Sequence, residues 1–238
     1  MLLSPDKDPM GRAILDRATT GQAGRLRVFS SQFEEDELPV GQLFRTYDEM
    51  PALEQRALQE AKGRILDVGA GSGCHALALQ AMGKEVCAID ISTLAVEAMR
   101  LRGVADARAM DFFDEMPMRP FDTLLMLMNG SGIVGRLDRM SAFFRQVRRL
   151  LAPGGSLLMD SSDLRYLYEN EDGSLDIDLA ADYYGEVDFR MQYKKVKGDP
   201  FDWLYVDFGT LAHHAAEAGF RAELLQTGEH YDYLARLF

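Results

Sequence analysis

The tightest constraint in this chain is the run Asp67-Val68-Gly69-Ala70-Gly71-Ser72-Gly73. The apolar stretch Arg64-Ile65-Leu66 before it reads as a strand, and Cys74 to Met82 after it reads as a helix. Glycines at alternate positions let the backbone turn sharply and let a ligand lie against bare main chain. The first turn of the helix presents unpaired N–H groups toward that ligand. Any strand, glycine loop and helix of this kind suits a nucleotide. Asp67 narrows the choice, because a carboxylate at the strand end repels a diphosphate and welcomes a cationic group. Spacing narrows it further. The G-x-G-x-x-G fingerprint fails where Cys74 takes the third glycine position. The G-x-x-x-x-G-K-[ST] loop is missing, since Gly83-Lys84 is followed by Glu85, and the nucleophile elbow G-x-S-x-G fails at Ser72 and Ser131.

From Arg64 onward, apolar strands alternate with helices, which predicts an α/β fold with a parallel sheet covered on both faces. The strands fall near 64–69, 85–90, 105–110, 121–128 and 155–160, with helices near 73–82, 92–102 and 137–151. Right-handed crossovers put all C-terminal strand ends on one edge, where ligands bind at the switch in strand order. Asp67 to Gly73, Asp90, Asp111 and Asn129 converge there.

Taken in order, these segments resemble the motifs of the class I S-adenosylmethionine (SAM) dependent methyltransferases. The acidic-x-G-x-G-x-G loop resembles the first motif, and Gly83 to Ser92, with Asp90 inside it, the second strand and its ribose-binding acid. Ala109-Met110-Asp111-Phe112 is similar to the adenine-flanking segment, Pro120 to Gly130 to the fourth strand, and Leu150 to Asp160 to the turn and fifth strand. The likeness is close over 64–160 and loose over 209–238. It implies a doubly wound, mostly parallel seven-stranded sheet with an N-terminal helical segment and a β-hairpin insertion. It also implies SAM as cofactor. Asp67 then favours the α-ammonium, Gly69, Ala70, Gly71 and Gly73 allow close approach, and Asp90 and Ile91 hold the ribose end. Met110, Asp111 and Phe112 flank the adenine, while Met128 and Asn129 line the sulfonium pocket. Arg45 is expected at the SAM carboxylate and Tyr47 at the sulfonium side. Asn129-Gly130-Ser131-Gly132 departs from the Asn/Asp-Pro-Pro-aromatic ending of enzymes acting on bases or glutamine, which disfavours those acceptors.

The likeness also divides the chain. Residues 1–63 form a segment folding over the cofactor, with a loose terminus to about residue 9 and a helix over Met10–Arg17. Residues 64–160 form the SAM core. Residues 161–208 form a lid, with strands over Tyr183–Val196 and Trp203–Phe208. Residues 209–238 add a helix and two strands, the last antiparallel. Asp160, Asp163, Tyr183, Tyr184 and Trp203 are the candidate acceptor contacts; no general base is singled out.

Composition sets the class of acceptor. Lys plus Arg number 26 against 38 Asp plus Glu, a net charge of −12 that repels nucleic acid and anionic membranes. A small-molecule acceptor methylated on N or O is expected, with no membrane or nucleic-acid partner. No stretch is long and apolar enough to span a bilayer. The N-terminal residues lack the features of a secretory signal, and Cys74 and Cys87, both in apolar segments, fit a reduced, cytoplasmic setting. No metal is expected: His213 and His214 are adjacent on a helix, and His213 with Glu217 lacks a third ligand. His75 is expected to contact packing neighbours or water. Two other classes fit less well: a non-catalytic SAM-binding module, and a nicotinamide-dependent oxidoreductase, which the missing third glycine and Asp67 disfavour. Nothing in the sequence sets an oligomeric state.

Overall fold

Asp8 starts the first helix by accepting a 2.7 Å bond from the Gly11 amide, and Pro9 supplies a pre-set first turn. In the computed structural model, which describes residues 1–170, 172–177 and 180–238, this helix is α1 (Pro9–Thr20). Strands β1 (Leu26–Phe29) and β2 (Asp36–Leu38) follow, then 3-10 turns at Val40–Phe44 and Tyr47–Glu49, then helix α2 (Ala52–Glu60). The alternating section is β3 (Arg64–Val68), α3 (Cys74–Ala81), β4 (Glu85–Asp90), α4 (Thr93–Arg102), β5 (Ala107–Ala109), β6 (Phe121–Met126), α5 (Met140–Leu150) and β7 (Leu151–Ser162). Beyond it lie β8 (Glu186–Tyr193), β9 (Val196–Lys197), β10 (Phe201–Leu204), α6 (Phe208–Glu217), β11 (Ala222–Thr227) and β12 (Asp232–Leu237). The stretch Glu169 to Asp178, whose acidic composition predicts a solvated loop, includes Glu171 and Asp178, which lie outside the described residues.

The main sheet has seven strands in the order β11-β12-β7-β6-β3-β4-β5. β3 pairs in parallel with β4 and β6, and β12 runs antiparallel between β7 and β11. This is the doubly wound arrangement that the alternation predicts. Phe143, Phe144 and Val147 of α5, with Leu211 and Ala215 of α6, fill one face; Leu53 and Leu58 of α2 and Leu79 of α3 fill the other. Apolar residues at helical spacing on α5 create the first of these layers. Strand order reverses between β3 and β6, so the ligand edge opens beside the Asp67–Gly73 loop.

A second sheet was not legible in the sequence. Its order is β10-β8-β1-β2, with β9 also on β8, and every pairing is antiparallel. β8, β9 and β10 form the expected hairpin, but β1 adds to the free edge of β8, pairing Leu26 with Tyr193 and Phe29 with Arg190. The strand expected over Trp203–Phe208 ends at Leu204, because Asp207 caps α6 by accepting from the Thr210 amide at 2.9 Å. The N-terminal residues are not loose either. The Leu3 amide donates to the Ile91 carbonyl at 3.0 Å, and Asp8 is buried against Ser92.

Candidate active site

The loop after β3 is folded back by its own amides. Gly69 and Ala70 donate to the Ile89 carbonyl at 2.9 and 3.0 Å, and Gly71 donates to Asp90 Oδ2 at 2.9 Å. Gly71 has φ +55°, and a side chain there would meet nothing closer than Ile14 at 3.9 Å, so bare backbone faces open space. At Gly73 a Cβ would instead fall 2.8 Å from Val104 and 2.9 Å from Met99, so that glycine serves helix packing. Asp90 also accepts from the Ser92 amide at 2.8 Å. Asp67 is 1% exposed, and its Oδ2 has no partner. Burial pushes both carboxyls up to about 6, against the nearby His75 charge for Asp67 and against the amide bonds for Asp90.

Behind Asp67 sits a buried charge cluster that sequence reasoning missed. Arg45 Nη2 donates to Glu54 Oε1 at 2.6 Å, and His75 Nε2 lies 2.8 Å from Glu54 Oε2. Glu54 and His75 are each 5% exposed. His75 is therefore a hydrogen-bond partner of Glu54, and forms an ion pair with it when protonated, which corrects the expectation of packing neighbours or water. Arg45 is turned toward Glu54, yet its Nε is buried and unpartnered. The Tyr47 ring packs beside this region, and its hydroxyl accepts from Gln59 Nε2 at 2.8 Å. The missed signal was available in principle: Glu54 is a charged residue on the apolar face of α2.

The end of β6 is strained. Met128 and Asn129 both take positive φ, +64° and +60°, although neither is glycine. Asp160 holds this turn by accepting from the Met128 amide at 3.1 Å and the Gly130 amide at 2.8 Å. Both side-chain polar atoms of Asn129 are buried without a partner. Two adjacent residues in a disfavoured conformation, aiming an unsatisfied amide, are the kind of local cost found at binding sites.

On the side of β4 and β5, Ile91 is 38% exposed and Met110 half-buried, while the Asp111 carboxylate accepts from Phe113 N at 2.9 Å and pairs with the terminal amine. Phe112, expected against an adenine, is 3% exposed and packs with Phe113 and Phe143 in the core. Its ring face is committed inward, and Ile91 and the half-buried Met110 are the apolar groups left at the edge.

On the side of β7, Trp203 lies on Gly132, where a Cβ would fall 1.8 Å from the indole. Asp160 is spent on the backbone. Asp163, 8% exposed, accepts from Tyr184 at 2.8 Å and from Arg165 N at 2.9 Å, and Tyr183 donates to Asp207 at 2.7 Å. Burial holds both phenols well above their usual range, so each remains a hydrogen-bond donor at neutral pH. Five sequence-derived candidates thus gather at this end, but three of them, Asp163, Tyr183 and Tyr184, form one internally satisfied network.

Residues 66–159 match a family model described as a methyltransferase domain. Across its whole length the chain is 64% identical to a SAM-dependent methyltransferase from Bacteroides fragilis, solved in complex with S-adenosyl-L-homocysteine. The two superpose with a TM-score of 0.94, covering 100% of this chain and 97% of that one. The chain belongs to the SAM-dependent methyltransferases. Membership makes it an enzyme with SAM as cofactor, and sets aside the oxidoreductase and the non-catalytic module. The methyltransferase is also 30% identical over 102 residues to the cypemycin N-terminal methyltransferase of a Streptomyces, spanning 42% of each chain. With an uncharacterized methyltransferase of Staphylococcus carnosus it shares 28% identity over 183 residues, 68% of this chain and 84% of the other. No helix among the described residues is long and apolar enough to cross a membrane.

Proposed function

We propose that this methyltransferase moves the methyl group of SAM to a nitrogen or oxygen of a small-molecule acceptor. The observation that carries the cofactor placement is the set of buried, unpartnered polar atoms at one sheet edge: Arg45 Nε, Asp67 Oδ2 and both ends of the Asn129 amide. A donor, a carboxylate oxygen and an amide complement the carboxylate and ammonium of an amino acid. In this reading Asp67 takes the ammonium, Arg45 Nε the carboxylate, and Asn129, with Met128 and Tyr47, the sulfonium side. Asp90 accepts from the ribose, Gly69 to Gly73 leave room, and Ile91, Met110 and Asp111 flank the adenine. SAM supplies a methyl group on a sulfonium whose charge vanishes on transfer. The chain's own task is to align the acceptor and exclude water.

The second sheet supports an acceptor pocket beneath it. β10 delivers Trp203 onto the Gly130–Val134 turn, and Ser131 is tied to Ser161 and to the Leu204 carbonyl at 2.7 and 2.8 Å. Residues 161–208 with β1 and β2 then act as the lid that selects the acceptor. A net charge of −12 argues against nucleic acid. Two of the three basic residues of α5 are occupied elsewhere: Arg148 stacks on Phe220 and Arg149 faces Glu115. The cypemycin relative, an N-terminal methyltransferase, favours nitrogen. A cytoplasmic setting fits the two buried, unpaired cysteines. The test is a transfer assay with labelled SAM, offering a metabolite pool beside tRNA, rRNA and duplex DNA at low salt. Label is expected in small metabolites; equal labelling of any polynucleotide would overturn the acceptor class.

A further inference from the structure

Resting on the cofactor placement just proposed, one more role emerges from the buried cluster. We infer that His75 is a positioning residue for the amino-acid end of SAM: as the charged partner of Glu54, it holds that carboxylate so that Arg45 keeps Nε–H free for the ligand.

The geometry is a chain of three elements. His75 comes from the first turn of α3, Glu54 from α2 and Arg45 from the segment before α2. Glu54 receives one cation on each oxygen, Arg45 on Oε1 at 2.6 Å and His75 on Oε2 at 2.8 Å. The side chains are 17% exposed for Arg45, 7% for Glu54 and 6% for His75, so water cannot replace a lost partner. With His75 neutral, Glu54 has a single counter-charge and draws the guanidinium onto itself. Protonated, His75 shares that carboxylate, and the Arg45, Glu54, His75 and Asp67 charges sum to zero around the ligand end. Groups facing His75 from each packed element are Glu54 of α2, Asp67 of β3 and Asp160 of β7, with Arg45 beyond Glu54. Its neighbour Cys74 is kept neutral by burial, its thiol pushed to about 12. Burial opposes the imidazolium, but the Glu54 bond and the Asp67, Glu54 and Asp160 charges outweigh it and raise His75 above its ordinary value.

Two consequences distinguish positioning from packing. The first is an alkaline limb: affinity for S-adenosylhomocysteine should fall about tenfold as His75 loses its proton, the size of one charge-assisted bond. His75→Gln keeps a donor toward Glu54 and cannot titrate, so its affinity should not change over that range. The second is reciprocal. If the protonated ring favours ligand, ligand must raise the titration midpoint of the ring by the same factor, about one pH unit for tenfold. Calorimetry of both proteins from pH 5 to 9, with NMR titration of the wild-type imidazole with and without S-adenosylhomocysteine, reads both. The other three histidines lie outside the cluster. An alkaline limb surviving in His75→Gln, or a midpoint that ligand does not move, overturns the role of His75; the NMR titration decides if the variant fails to fold. Wild-type protein that binds no S-adenosylhomocysteine at any pH overturns the cofactor placement itself.

Discussion

Asp160→Ala separates a backbone clamp from an acceptor contact. The carboxylate takes the Met128 and Gly130 amides, at 3.1 and 2.8 Å, and so holds two consecutive non-glycine residues at positive φ. Truncation leaves two half-buried N–H groups without an acceptor, at about 1–3 kcal/mol each. Relaxation of the strained turn returns about 1–2 kcal/mol. The expected net loss at pH 7 is therefore about 0–5 kcal/mol, or roughly 5–10 °C in Tm at the middle of that range. S-adenosylhomocysteine affinity should fall too, because Asn129 loses its fixed place. The loss should also grow in acid. Burial raises Asp160 from 3.8 to about 6, so the folded chain takes up this proton before the unfolded chain does. Its contribution is fully present below pH 4 and declines as pH rises to about 6, so the gap between wild type and variant widens from pH 6 to pH 4. Thermal unfolding across pH and calorimetry with S-adenosylhomocysteine measure all three. A residue touching only the acceptor would leave Tm and cofactor affinity unchanged while raising the acceptor KM, and that pattern would refute the clamp.

Asp90→Ala should weaken S-adenosylhomocysteine by about 1.5–3 kcal/mol, the range for charge-assisted bonds, and Gly71→Val should abolish binding by forcing a β-branched residue to φ +55°; unchanged affinity in folded variants would contradict the placement. Gly132→Ala should displace Trp203, since the added methyl would sit 1.8 Å from the indole. Its expected signature is a raised acceptor KM with cofactor affinity kept, and the reverse pattern would move Trp203 out of the acceptor wall. Asp67 and Asp90, both near 6 when free, should give up protons when a cationic ligand arrives at pH 6. Calorimetry in two buffers of different ionisation heat would then show release, and buffer-independent heat would count against it.

The parts of the site that were legible in sequence are those carried by consecutive residues. Asp67 to Gly73 needs only its own order to imply a strand, a turn and a helix, and Asp90 is marked by the apolar strand it ends. Arg45, Glu54 and His75 could not be joined that way, because their contact depends on how α2 and α3 pack. Phe112 misled for a related reason: β5 stops at Ala109, so the strand pleat no longer decides which way Met110 and Phe112 point. The weak alternation of Arg25 to Phe33 suggests an extended segment, but the partner of β1 lies on β8, far along the chain and beyond any local signal.

That pairing has a bearing on assembly. Leu26 cannot meet Tyr193 until most of the polypeptide exists, and β7 gains its second neighbour only from Asp232–Leu237. The α/β core can nucleate from near neighbours, whereas the roof and the outer edge of the main sheet close late, across long loops whose entropy must be overcome first. During synthesis the glycine loop therefore forms with only the N-terminal segment against it, through Leu43 and Ile14, and the pocket is completed only when the second sheet closes.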